Sequence, residues 1–115
     1  MSDAPLRALA RERCVPCTAQ TRRLTAAEAR AQAGDLREDG WTIDDVAIER
    51  TFEFRNFNAA FGFATRIALL AEHEGHHPDM EVGWGRVRVR LTTHAIGGLS
   101  RNDLVMAAKI DRLAP

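Results

Sequence analysis

The longest helix that this sequence predicts constrains the fold most, because both of its ends are marked. Asn56 is a good N-cap and Pro78 cannot continue a helix, so we expect a helix from Phe57 to about Gly75. Apolar residues recur within it at three- and four-residue spacing, which is typical of a face that packs on a core. The residues on that face are Phe57, Ala60, Phe61, Ala64, Ile67, Ala68 and Ala71. Phe63 and Leu70 lie to one side of that face. This favours a helix that packs on its own sheet and also on another subunit, although packing within one core remains open.

Strand candidates come in pairs before and after this helix. Val46 to Phe54 alternates apolar and polar residues, with Arg50 interrupting the apolar side, which is the pattern of a half-buried strand. The other candidates are 41–43, 80–84 and the run that starts at Arg86. Capping boxes at Thr25/Glu28 and Ser100/Asp103 predict two more helices, which reach about Glu38 and about Leu113.

The resulting order is α-β-β-α-β-β-α. Strands in adjacent pairs favour an antiparallel sheet, so we predict an α+β fold with four antiparallel strands and three helices on one face. Residues 1–23 lack a clear period and are predicted to be a loosely ordered leader, whereas 24–115 form a single domain. Cys14 and Cys17 form a CxxC in that leader, without a preceding strand pattern, and are interpreted as two ordinary reduced thiols.

Charge and hydropathy exclude several classes of protein. Lys+Arg and Asp+Glu both number 16, so the formal net charge is zero, which argues against a broad nucleic-acid surface. The longest apolar run is far too short to cross a bilayer, so no membrane association is expected. The first residues lack the apolar segment of a signal peptide, and the cytoplasm is the expected location.

Three of the four histidines are candidates for one site. His76 and His77 are adjacent where Pro78 stops the helix, and His94 ends the strand-like run from Arg86. Imidazole both gives and takes a proton near neutral pH, so a cluster of three predicts proton-transfer chemistry or a metal. If the helix persists, Glu72 lies four residues before His76 on the same face and could orient its ring.

The competing interpretation is a zinc hydrolase, because His73 and Glu74 begin a literal H-E-x-x-H that ends at His77. The context is poor, since Gly75 lies inside the motif and Pro78 ends the helix directly after it. The third histidine of the extended zinc motif is also absent. We therefore predict no metal, and a pure binding or dimerisation module stays open as a third class.

The chain resembles the pterin-4a-carbinolamine dehydratases over about residues 24–113. The resemblance rests on the run 52–68, Glu72, the run 76–79, Thr93-His94, and Gly98-Leu99-Ser100 with Asp103. It implies an enzyme, a 4a-hydroxytetrahydrobiopterin dehydratase, which removes water from a 4a-hydroxytetrahydropterin to give quinonoid dihydropterin. That reaction recycles tetrahydropterin for aromatic amino-acid hydroxylation, and it implies a functional link to an aromatic amino-acid hydroxylase.

The resemblance also implies which residues act. His76, His77 and His94 surround the pterin, with Glu72 as a supporting carboxylate. The residues expected to help hold the ligand are Thr92, Thr93, Trp84, Met80 and Asp79. No cofactor is implied, because the pterin is the substrate, and a homodimer or homotetramer is expected. The alternative is a dimerisation, assembly or transcription-cofactor module with the same fold, and Gly75 departs from the Asp or Asn usual in the family.

Overall fold

The computed structural model describes residues 8–115 and has the predicted α+β architecture. Its three long helices are α1 (Ala26–Ala33), α2 (Phe57–Glu74) and α3 (Arg101–Leu113). Its strands are β1 (Thr42–Ile43), β2 (Ile48–Glu53), β3 (Asp79–Gly83) and β4 (Arg86–Leu91). Short 3₁₀ helices span Gly34–Arg37 and His94–Ile96. The four strands form one antiparallel sheet in the order β1-β2-β4-β3.

The helices cover one face of this sheet, as the alternation predicts. Val87, Val89 and Leu91 of β4 point towards the helices and are fully buried, whereas the arginines between them line the opposite face. Arg50 interrupts the apolar side of β2 as predicted, and its guanidinium lies 2.8 Å from Asp111 of α3. Burial raises the pKa of the Asp111 carboxyl to about 6.

The predicted helix starts are confirmed, while one predicted end is wrong. The capping boxes at Thr25 and Ser100 are present, and the Asn56 side chain accepts a hydrogen bond from the Ala59 amide at 2.8 Å. The first helix, however, ends at Ala33 and not near Glu38. Gly34 adopts φ 61°, which an α-helix cannot continue through, and the chain then forms a 3₁₀ turn.

The predicted apolar face of α2 is partly wrong. Phe63 is buried among Phe52 and Phe54 of the same chain, with ring centroids 4.8 and 5.1 Å away, so it is a core residue and cannot lie at a subunit contact. Phe57 and Phe61, which were expected in the core, are instead about half exposed. The side of α2 that carries Phe63 therefore faces the core, where Phe52 of β2 and Phe54 directly after it receive its ring.

Residues 8–17 pack beside α2 and α3. Leu9 and Ala10 are buried in the core cluster, and the Lys109 ammonium donates to the Ala10 carbonyl at 2.7 Å. Cys14 and Cys17 are both free thiols. The predicted division of the chain at residues 23 and 24 stays a prediction.

Candidate active site

A left-handed turn places the paired histidines. Gly75 ends α2 with φ 72° and ψ 24°, a conformation that glycine adopts without strain. The chain therefore leaves the helix axis before His76, and the two imidazoles project in different directions. Asn and Asp are the other residues that tolerate this conformation, so the backbone at this position could also accept either of them.

His76 is held by a buried carboxylate on α3. Its Nε2 lies 2.6 Å from Asp103 Oδ1, and both side chains are buried. The second carboxylate oxygen accepts hydrogen bonds from Thr93 Oγ1 at 2.7 Å and from the Ser100 amide at 3.0 Å. The Thr93 hydroxyl donates to Asp103, so the Ser100 hydroxyl, 2.7 Å away, donates to Thr93. This network fixes the His76 ring and leaves Nδ1 as the ring nitrogen not committed to Asp103.

Asp103 is a site residue that sequence reasoning missed, because it was named as the acidic member of a capping box and as part of the resemblance, with no contact to the histidines predicted. It performs that role and also holds His76, so one carboxylate both starts α3 and orients the imidazole. Its place in the first turn of a helix suits a negative charge, since the helix dipole is positive there. Its inclusion in the family resemblance was the available signal.

Glu72 pairs with a different histidine from the one predicted. Glu72 Oε2 lies 2.6 Å from His77 Nε2, so Glu72 pairs with His77 and not with His76. The expectation of a Glu72–His76 pair assumed that α2 continues through Gly75, and the left-handed turn there removes the four-residue alignment. The His77–Glu72 pair is largely exposed.

The three histidines line one cavity of about 200 Å³. Thr92 and Thr93 lead from β4 into this cavity, and His94 follows them at the start of the 3₁₀ helix. The threonine side chains are committed within the protein, since Thr92 Oγ1 donates to the Val46 carbonyl at 2.6 Å. Within residues 8–115, the His94 side chain makes no hydrogen bond, so its ring is available to a ligand. Cys17 also lines the cavity, although it was interpreted only as a thiol of the leader.

Three predicted ligand contacts lie elsewhere. Trp84 is exposed in the β3–β4 turn, at the end of β4 away from His94, and lines a separate cavity with Phe54 and Gly85. Asp79 and Met80 line a third cavity, beside Arg88 and Arg90 of β4. The chain thus brings together the histidines, Thr92 and Thr93, and does not bring these three residues to the same cavity.

The H-E-x-x-H pattern does not form a helical zinc site. Its Glu74 is buried and accepts a hydrogen bond from the Cys14 amide at 2.9 Å, while Gly75 interrupts the helix before the second histidine. Among the residues from 8 onwards, no group of three His, Cys, Asp or Glu side chains is arranged to hold a metal ion. In the same part of the chain, no helix is long and apolar enough to cross a membrane.

The fold and site together define an α+β protein with imidazoles and carboxylates in an arrangement suited to proton transfer. Residues 22–113 match the model of the pterin 4 alpha carbinolamine dehydratase family, and the chain belongs to that family. A protein of Alkaliphilus metalliredigens, provisionally named a pterin-4-alpha-carbinolamine dehydratase, is 44% identical over 90% of this chain and 94% of its own length. A similarly named protein of Cupriavidus pinatubonensis is 46% identical over 88% of this chain and 87% of its own length.

A solved structure supports the same assignment. The crystal structure of a transcriptional coactivator/pterin dehydratase from Brucella melitensis is 41% identical to this chain, with a TM-score of 0.71. The match covers 82% of this chain and all of that one. At the level of the family, this chain is therefore a dehydratase-type lyase.

Proposed function

We propose that this protein dehydrates a 4a-hydroxytetrahydropterin to quinonoid dihydropterin. The observation that supports the proposal is the cavity in which His76, His77 and His94 meet, with His76 fixed by buried Asp103. The proposed physiological role is recycling of tetrahydropterin for an aromatic amino-acid hydroxylase in the cytoplasm.

The proposed reaction needs only proton transfers. The C4a–O bond breaks, and its electron pair leaves with the oxygen, which takes a proton from an acid to become water. The N5–H proton passes to a base, and the electron pair of that bond forms the C4a=N5 double bond. No electrons are gained or lost overall, so an imidazolium and an imidazole are a sufficient set of groups.

The environments of the three rings support a division of roles. The His76 ring is fixed by Asp103, which suits a proton-transfer step that needs a precisely oriented imidazole. His77 is exposed and paired with Glu72, while His94 has its ring free towards the cavity. The backbone at Thr92 and Thr93 forms the wall against which we propose that the flat pterin lies.

The direct test is a dehydration assay with the purified protein and freshly generated 4a-hydroxytetrahydropterin, before and after exhaustive chelation. We expect acceleration over the spontaneous reaction, with no change on chelation. A rate equal to the spontaneous one would refute the proposal and favour a module that acts by association alone. Loss of activity on chelation with recovery on adding zinc would instead revive the metal interpretation.

We also propose that the chain forms a homodimer or homotetramer through the exposed side of α2. Phe57 and Phe61 are 49% and 55% exposed and their rings stack at 5.7 Å. Leu69 lies on the same row of the helix, eight residues after Phe61, and is also exposed. Such an apolar row is unusual on a monomer surface.

The test of the assembly is light scattering at micromolar concentration on the wild type and on Phe61→Glu. We expect an oligomer for the wild type and a smaller species for the variant. Arg66→Glu, on another side of α2, is the matched control and should keep the wild-type mass. A monomeric wild type would contradict the proposed assembly and leave the catalytic proposal standing.

A further inference from the structure

Residues 14–17 are fixed across the beginning of α3 by two side chains. The Cys14 amide donates to Glu74 Oε1 at 2.9 Å. The Asn102 side chain accepts from the Val15 amide at 3.0 Å and donates to the Val15 carbonyl at 2.7 Å. A side-chain amide that pairs with both backbone groups of one residue fixes that residue as a neighbouring strand would.

Both anchoring side chains are themselves held within the fold. Glu74 is buried at the end of α2, with Lys109 3.6 Å and Arg13 3.3 Å from its carboxylate. Asn102 is buried in the first turn of α3, directly before Asp103. One turn of α3 therefore holds His76 on one side and the segment 14–17 on the other.

The two cysteines of this segment occupy different places. Cys17 Sγ accepts a hydrogen bond from Asn102 Nδ2 at 3.0 Å, and the residue lines the cavity together with His76, His77 and His94. Cys14 does not line that cavity, and its sulfur lies 3.8 Å from the Asn102 carbonyl. Burial raises the pKa of the Cys14 thiol to about 12, so it is an unreactive protonated group.

We propose that the anchored segment 14–17 places Cys17 at the wall of the pterin cavity, that Cys17 contacts the bound substrate, and that Asn102 is its positioning residue. The inference rests on the proposed function, since it adds a substrate contact to that site. A polarizable sulfur suits the edge of a flat heteroaromatic ring. Cys17 contributes to binding and not to proton transfer, because the imidazoles already supply the acid and the base.

The first consequence is a change in KM. Cys17→Ala is expected to raise KM about twofold to tenfold, the range of sulfur–aromatic contacts, with kcat little changed. Asn102→Ala should raise KM as well, because it releases Val15 and Cys17 together. Cys14→Ala is the matched control and should leave KM at the wild-type value. An unchanged KM for Cys17→Ala would contradict the contact.

The decisive experiment is alkylation of the full-length Cys14→Ala protein, in which Cys17 is the remaining cysteine, with N-ethylmaleimide. We expect activity to fall in proportion to labelling, and a 7,8-dihydropterin, a stable relative of the product, to slow the labelling. Cys17→Ala protein under the same reagent should keep its activity. Full activity after complete labelling of Cys17, or labelling that dihydropterin does not slow, would overturn the inference.

The same experiment separates the two proposals. The activity of untreated protein judges the dehydratase proposal by itself. If untreated protein is inactive, that proposal fails, and the rate of Cys17 labelling with and without dihydropterin still decides whether Cys17 faces a pterin-binding cavity.

Discussion

His76 and His77 are adjacent in the chain and each lies 2.6 Å from a carboxylate oxygen, yet their surroundings are opposite. In the His76–Asp103 pair the side chains are 9% and 0% exposed, whereas in the His77–Glu72 pair they are 59% and 79% exposed. Charges in water are screened and their side chains lose entropy on pairing, so an exposed pair contributes little. Equal distances therefore do not indicate equal roles. The buried pair holds the His76 ring in one orientation, whereas the exposed pair leaves the His77 ring free to reorient.

The largest effect is expected from Asp103→Asn. The amide keeps the shape of the carboxylate but loses the charge that orients His76, and it cannot accept the same three hydrogen bonds. We expect the dehydration rate to fall about 10²-fold or more, as for loss of a general acid or base. Thermal unfolding measured alongside shows how much of the loss is structural. Near-wild-type activity would show that the buried pair does not direct the chemistry.

An intermediate effect, on the free energy of unfolding, is expected from substitutions of Gly75, the residue whose turn directs the two imidazole rings apart. Gly75→Ala places a Cβ in the left-handed region, which costs about 1–2 kcal/mol. Gly75→Asn is the matched control, because asparagine tolerates this region and an added Cβ meets no atom within 4 Å. Urea unfolding should rank wild type first, then Asn, then Ala. Equal stability of the Ala and Asn variants would contradict the role given to the turn.

The smallest effect is expected from Glu72→Gln. An exposed ion pair contributes about 0–1 kcal/mol, so stability should hardly change and activity should change by no more than about fivefold. The dehydration assay and urea unfolding measure both. A loss of activity as large as that of Asp103→Asn would show that the exposed His77–Glu72 pair matters to the reaction as much as the buried His76–Asp103 pair.

Local signals in the sequence predicted the elements well. Asn56, Thr25 and Ser100 start helices because their side chains cap amides only a few residues away, and such contacts are visible in the sequence. Alternation on β2 and β4 likewise identified the buried face, including the inward-facing Arg50.

Features that depend on distant residues were not predictable in the same way. Apolar residues lie around much of α2, so the sequence did not show which side of the helix faces the core. Contacts of Phe63 with Phe52 and Phe54 determine that side. One local feature was missed as well: the left-handed turn at Gly75 places His77, and not His76, beside Glu72. Asp103 lies 27 residues after His76 in the sequence, and the two side chains meet only because α3 packs beside α2.

The dehydration rates of three histidine variants, compared with the wild type, show whether the cavity residues carry out the proton transfer. His76→Ala and His94→Ala should each lose about 10²–10⁴-fold while remaining folded, because both rings line the cavity. His73→Ala is the control, since His73 is exposed on α2 outside that cavity, and it should keep nearly full activity. If His73 proves as important as His76 while His94 proves dispensable, the proton-transfer site described here is wrong.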